Sequence, residues 1–138
     1  MRVKELISGP PISVPPDTPV LEARRIMQAR AIRHLLVVEH GRLVGIITDR
    51  DIRLNMPSPA TTLSVWEVNY LLARLTVGEV MTKSVIVVEP DRDAHEAAAL
   101  LVSEKIGALP VMDGTRLLGI VTETDFLRAF VQQATLAP

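Results

Sequence analysis

Apolar residues in this chain fall into two alternating rhythms. Short β-branched or leucine-rich runs at Ile12–Val14, Leu35–Val38, Val85–Val88 and Leu109–Met112 predict strands. Between them, Val20, Ala23 and Met27 recur at helical spacing, as do Ala94, Ala97, Ala98 and Leu101. Two further apolar runs open at Gly45 and Gly119 and end in Thr48 and Thr122, where a helical pattern takes over at once. Their flanks are apolar throughout, as expected of strands covered on both faces. Polar turns at Glu39-His40-Gly41 and Asp113-Gly114-Thr115 separate the last two strands of each set. The predicted order is strand, helix, strand, turn, strand, helix, and it occurs twice. Asp17-Thr18-Pro19 reads as a cap with a first-turn proline for one helix, and Asp93 with Glu96 as the cap of its counterpart.

The two sets are copies of one unit. Gly45-Ile46-Ile47-Thr48-Asp49-Arg50-Asp51 returns as Gly119-Ile120-Val121-Thr122-Glu123-Thr124-Asp125, 74 positions on. At that same offset Leu6-Ile7-Ser8 meets Val80-Met81-Thr82, Pro16-Asp17 meets Pro90-Asp91, and Glu22-Ala23 meets Glu96-Ala97. Ile32, Leu35, Val37 and Arg42-Leu43 likewise find Ile106, Leu109, Val111 and Arg116-Leu117. A unit of about 50 residues is small to stabilise itself, so the copies are expected to bury apolar faces on each other across a pseudo-twofold axis. The expected fold class is α/β (α+β), with two β-α-β-β-α units packed through their sheets and a helix inserted between them. The expected boundaries are 1–57 for the first unit, 58–76 for the insert and 77–138 for the second unit.

Met56-Pro57-Ser58-Pro59 must break the last helix of the first copy. Thr62 or Ser64 then caps an insert helix carrying Trp66, Val68, Leu71, Leu72 and Leu75, with Glu67, Tyr70 and Arg74 on its polar face. Trp66 belongs either to the core or to a subunit interface. Phe126 to Val131 is amphipathic, and Gln132 to Pro138 is expected to fray.

Composition narrows the function classes. The 138 residues are 48% hydrophobic and 3% aromatic, so Val, Leu, Ile, Ala and Met must build the core. Fifteen basic residues stand against sixteen acidic ones, a net charge of −1, which leaves no electrostatic footprint for nucleic acid. The absence of cysteine excludes disulfide and thiol chemistry and suits a reducing cytoplasm. Neither a signal peptide nor an apolar run approaching about 18 residues is seen, so a soluble chain without membrane contact is expected.

The repeated Gly-x-x-Thr-x-x-Asp carries the candidate chemistry. A strand that runs into a helix N-terminus offers unpaired N–H groups to an anion. The threonine hydroxyl suits a phosphate oxygen, and a carboxylate one helical turn later suits the two hydroxyls of a ribose. Thr48 with Asp51 and Thr122 with Asp125 are therefore two candidate nucleotide sites. The competing reading is a capping box, in which threonine bonds the third helical N–H and the acid reaches back. Duplication favours ligand binding without deciding the matter, because a structural cap would duplicate as well.

With these residues in place, the chain resembles tandem cystathionine-β-synthase (CBS) domains, the pair called a Bateman module. The resemblance rests on Val80-Met81-Thr82, on Ile106-Gly107-Ala108-Leu109-Pro110-Val111, on Ile32-Arg33-His34-Leu35-Leu36-Val37 in copy one, and on the two Gly-x-x-Thr-x-x-Asp stretches. The region from Ser58 to Thr82 is similar to small stand-alone bacterial CBS-pair proteins, some of them labelled acetoin-utilisation proteins. The resemblance implies a regulatory module that binds AMP, ADP, ATP or S-adenosylmethionine in clefts between the copies and signals to a partner protein. It implies ribose contacts from Asp51 and Asp125, and phosphate contacts from Thr48 and Thr122. Adenine would lie against Thr82, Gly107 and Ala108 at one site, and against Ser8, Arg33 and His34 at the other. It also implies a disc-like homodimer, an adenosyl ligand in a regulatory role, and no required cofactor.

Arg33-His34 stands where copy two has Gly107-Ala108. A cation beside Thr48 and Asp51 suits a 5′-phosphate, so the Asp51 site is expected to bind phosphorylated ligands more tightly. Leu36 stands in place of the proline found as Pro110 in copy two. An enzyme is not expected: His34, His40 and His95 lack metal-ligand spacing, and Ser8, Ser13 and Ser84 have no nearby histidine in the sequence. The alternative to a nucleotide sensor is a ligand-free scaffold for dimerisation.

Overall fold

The computed structural model describes residues 1–7, 9–57 and 62–136. It forms two compact bodies, one made of Ile12–Ser84 and the other of Met1–Pro11 together with Val85–Pro138.

In the first body β1 (Ser13–Val14) leads to α1 (Val20–Arg30), then β2 (His34–Glu39), β3 (Arg42–Thr48) and α2 (Asp49–Leu54). Strand order is β1-β2-β3, with β1 parallel to β2 and β2 antiparallel to β3. Helix α3 (Val65–Arg74) and the single-turn α4 (Val77–Val80) complete it. The second body holds a 3₁₀ turn (Val3–Glu5), α5 (Ala94–Glu104), β4 (Ala108–Asp113), β5 (Arg116–Thr122) and α6 (Glu123–Leu136), with β4 antiparallel to β5.

The sequence repeat and the spatial bodies divide the chain differently, because each repeat's leading segment packs with the other repeat. Val77 N–H donates to Thr18 O at 2.8 Å and Gly78 N–H to Pro16 O at 2.8 Å. At the matching positions Val3 N–H donates to Arg92 O and Lys4 N–H to Pro90 O, both at 2.9 Å. The two cores correspond residue by residue. Val14, Val20, Ala23, Met27, Leu35, Val37, Ile47 and Val77 are buried in one. Val88, Ala94, Ala97, Leu101, Leu109, Val111, Val121 and Val3 are their counterparts in the other. Burial of this kind stabilises by about 25 cal/mol per Å² of apolar surface, and the exchanged valine, Val77 or Val3, adds to it in each body.

The exchange also caps the helices. Neither Pro19 at the start of α1 nor Asp93 at the start of α5 makes a side-chain cap. The helix-opening N–H of Val20 instead donates to Leu75 O at 2.8 Å, and that of Ala94 to Met1 O at 2.9 Å. Pro19 is therefore the N-cap residue, with φ −60° and ψ 140°, and not the first helical residue. A main-chain carbonyl from a distant segment fills the role that the local sequence assigned to an aspartate.

The run Val85–Val88, expected as a strand, is bridged to β4 only at Val88. In the first body Leu36 N–H donates to Ile12 O at 3.2 Å and helps to fix β1. The matching residue of β4 is Pro110, which has no N–H to give. Leu36 thus restores a ladder bond that the proline forgoes.

Both glycines of the repeated motif sit under the exchanged segments. A Cβ on Gly45 would meet the Met81 side chain and come within 2.9 Å of Thr82 O. One on Gly119 would come within 2.8 Å of the Ile7 Cγ2. The insert helix α3 starts at Ser64, whose hydroxyl accepts from Glu67 N–H at 3.2 Å. Only Leu72 of α3 is buried, and Trp66 is 83% exposed, so Trp66 is not a core residue. Ser58, Pro59, Ala60 and Thr61, which open the expected insert, lie outside the described residues. Among the described residues no helix is long and apolar enough to cross a membrane.

Candidate functional site

The junction of β3 and α2 is a closed capping box. Thr48 has extended backbone, φ −114° and ψ 163°, and its hydroxyl accepts from Asp51 N–H at 3.0 Å. Asp51 Oδ2 accepts from Thr48 N–H at 2.9 Å. The structural role weighed against ligand binding is thus present. It uses one carboxylate oxygen; Asp51 Oδ1 has no hydrogen-bond partner among the described residues. Capping and ribose recognition are therefore compatible at this residue. Helix α2 has only six residues, so its dipole adds little, and anion affinity here must come from side chains.

Those side chains are close by. His34 is the register partner of Thr48 across β2 and β3, and Asp49 N–H donates to Arg33 O at 3.0 Å. Thr82 exchanges two backbone bonds with Ile46: Ile46 N–H donates to Thr82 O at 3.1 Å, and Thr82 N–H to Ile46 O at 2.9 Å. Thr82 thus lies beside the strand that ends in Thr48. The first body brings together Arg33, His34, Thr48, Asp51 and Thr82.

The second body repeats the layout with different chemistry. Ala108 pairs with Thr122, and Glu123 N–H donates to Gly107 O at 3.1 Å. Asp125 Oδ2 accepts from Thr122 N–H at 2.8 Å and from the Thr122 hydroxyl at 3.2 Å. Asp125 Oδ1 accepts from the Arg128 guanidinium at 3.2 Å, and only 8% of Asp125 remains exposed. Gly107, Ala108, Thr122 and Asp125 therefore come together in this body. Ser8, which the resemblance grouped with Arg33 and His34, lies outside the described residues. Thr82, which it grouped with Gly107 and Ala108, belongs to the body that holds Arg33 and His34.

Arg128 escaped the sequence reading. It stands three residues after Asp125, the spacing of helical neighbours, and that spacing was the available signal. The matching residue in copy one is Leu54, 71% exposed, so Asp51 has no such cation there. Among the described residues no group of three His, Cys, Asp or Glu side chains forms a metal site.

Comparison with known proteins assigns the chain. The CBS domain family model matches residues 3–58 and 77–132, and the chain belongs to the CBS domain family as a pair of repeats. The L-aspartate semialdehyde sulfurtransferase of Methanocaldococcus jannaschii is 34% identical over 132 residues. The alignment spans 93% of this chain but only 23% of that protein's length. The CBS domain pair of protein MJ0100, solved in complex with 5′-methylthioadenosine and S-adenosyl-L-methionine, superposes with a TM-score of 0.79 at 32% identity. That superposition covers 96% of this chain and 98% of the other. A Vibrio cholerae protein that carries the name AcuB, for acetoin utilization, superposes with a TM-score of 0.80 at 27% identity, covering 99% and 94%. The mixed α+β architecture with two small sheets is that of CBS pairs, which are regulatory ligand-binding modules.

Proposed function

We propose that this chain is a regulatory sensor of adenosine-containing small molecules, with the β3–α2 junction as its principal site. The carrying observation is Asp51: its Oδ2 is held by Thr48, its Oδ1 is unengaged among the described residues, and the Arg33-His34 backbone pairs with the adjoining Thr48 and Asp49. In this reading Asp51 accepts from the ribose hydroxyls, and Thr48 with Arg33 and His34 receives a phosphate or another polar 5′ group. Asp125 and Thr122 form the weaker counterpart. Thr82, Gly107 and Ala108 are proposed base contacts, as is Ser8, which lies outside the described residues. The complex of the MJ0100 pair with two adenosyl compounds supports this ligand class. AMP, ADP and ATP are the phosphorylated members of it, and S-adenosylmethionine the charged sulfonium member.

The proposed output is conformational. A ligand with different affinities for two arrangements of the module shifts their populations, and a homodimer partner or a separate effector protein in the cytoplasm reads the change. No catalytic step is assigned to the chain.

The test is thermal unfolding of the purified protein with AMP, ADP, ATP, S-adenosylmethionine and 5′-methylthioadenosine, repeated on Asp51→Ala. A ligand at 100 times its dissociation constant adds about 2.7 kcal/mol to the stability of the native state. Stabilisation of the wild type by one of these compounds, and its loss in a variant that still folds, supports the reading. If none stabilises the wild type, the scaffold alternative replaces it.

A further inference from the structure

The body Ile12–Ser84 carries a pocket of about 470 Å³ between the C-terminal half of α1 and helix α2. Its floor is apolar, with Met27 and Ile52 buried and Met56 half-buried. Three arginines line it: Arg24 from α1, Arg33 from the turn into β2, and Arg53 from α2. Asp49 is the one acid in the lining and lies 3.9 Å from Arg53, which leaves two cations in excess. Neither Arg24 nor Arg33 has an ion-pair partner among the described residues.

The repeat supplies an internal control. At the positions matching the three arginines, the second copy has Ala98, Gly107 and Leu127. It nevertheless builds the same helix pair, α5 and α6. The fold therefore does not require the arginines, and their grouping around an apolar floor is particular to this body. Guanidinium groups present planar, pre-formed donor forks suited to carboxylate or phosphate oxygens, and the volume falls within the range of small-molecule sites.

We propose that this pocket binds a small amphipathic anion, a carboxylate or phosphate monoester whose compact apolar body rests on Met27, Ile52 and Met56. The anionic head would be held by Arg24 and Arg53, with Arg33 at the edge. Arg33 is shared with the adenosyl reading, whereas the floor, Arg24 and Arg53 have no part in it, so variants at Arg24 and Arg53 test this pocket separately.

The test uses protein labelled with ¹³C at the methionine methyl groups, titrated with octanoate, octyl phosphate and octanol. Met27 and Met56 report on the pocket, while Met112, on β4, reports on the other body. The expected result is saturable movement of the Met27 and Met56 signals with either anion, no movement of Met112, and binding of octanol at least about tenfold weaker. Tighter binding of octyl phosphate than of octanoate assigns the head group as phosphate, and the reverse order assigns it as carboxylate. Combined Arg24→Ala and Arg53→Ala should weaken the anions about tenfold while leaving any adenosyl-induced thermal shift in place. Combined Arg24→Lys and Arg53→Lys, which keeps both charges, should retain most of the affinity and guards against misfolding of the alanine variant. Equal binding of octanol, unchanged affinity in the alanine variant, or Met27 and Met56 signals that move only with protein concentration would each overturn the proposal; the last would place a second copy in the pocket.

Discussion

Asp51 binds back to Thr48 through Oδ2 alone, whereas Asp125 has Oδ2 on Thr122 and Oδ1 on Arg128. A carboxylate recognises two ribose hydroxyls only with free acceptor capacity, and the two repeats differ on this point. The wild type should therefore bind its adenosyl ligand first at the Asp51 site, with Asp125→Ala changing that first affinity little. Arg128→Ala, by removing the guanidinium from Asp125 Oδ1, should strengthen the second site. Isothermal titration of the wild type and both variants separates these outcomes, and a first affinity that falls in Asp125→Ala would reverse the assignment. Asp51→Ala should in addition cost about 1 kcal/mol of stability in the absence of ligand, the usual net worth of a hydrogen bond such as the one its Oδ2 accepts from Thr48 N–H.

The motif glycines should be intolerant for a steric reason. Gly45→Ala places a methyl group against Met81 and a backbone carbonyl, that of Thr82, which is itself tied to Ile46. Overpacking of this kind costs about 1–3 kcal/mol. Gly119→Ala meets the Ile7 side chain, but no backbone atom, at short range, and should cost less. Urea unfolding midpoints should rank wild type, then Gly119→Ala, then Gly45→Ala. Equal values for the two variants would mean that the exchanged segments yield alike.

Periodicity and self-similarity exposed the repeat, the order of the elements and most of the core, since Val20, Ala23 and Met27 with Ala94, Ala97 and Leu101 all proved to be buried. The exchange of leading segments was not legible, because both pairings of a duplicated chain place the same residue types together. Nor was the capping of Val20 by Leu75, since a main-chain carbonyl leaves no side-chain signature. The short bridge at Val88 follows from one atom, the missing N–H of Pro110, which could be read from the sequence once its register partner was known. At the proposed site, Thr48 and Asp51 were singled out by spacing. The inequality of the two acids needed the Asp125–Arg128 distance.

The exchanged N-terminus carries an acid-sensitive contact. Lys4 Nζ lies 2.9 Å from Asp91 Oδ1, and this hydrogen bond, with the charge of Lys4 behind it and that of Arg2 farther off, holds the Asp91 carboxyl below its ordinary value of 3.8. A carboxylate depressed in the native state favours folding above its unfolded pKa, and that contribution is lost as pH falls through the native one. Asp91→Asn should therefore be slightly less stable than the wild type at neutral pH and converge with it in acid below the ordinary aspartate range. Both groups are exposed, so about 1 M salt should shrink the neutral-pH gap. A gap that persists in acid would assign the effect to packing of the Met1–Pro11 segment and not to the charge pair.

The association state has two separable readouts. Leu127 and Phe130 on α6 are 64% and 68% exposed, and Trp66 on α3 is 83% exposed, while the Arg74 guanidinium lies 4.2 Å from the centre of the Tyr70 ring. The homodimer expected of this module needs an apolar face, and α6 and α3 offer different ones. If α6 supplies it, Phe130→Asp gives a monomer by light scattering, and Trp66 keeps solvent-exposed emission at every protein concentration. If α3 supplies it, Trp66 emission shifts to the blue and resists acrylamide quenching as concentration rises, and Phe130→Asp has no effect on mass. In either case Trp66→Ala should alter monomer stability by no more than about 0.5 kcal/mol, because a side chain so exposed has little packing to lose. Trp66 is the only tryptophan, so its emission reports on α3 alone and assigns the face without ambiguity.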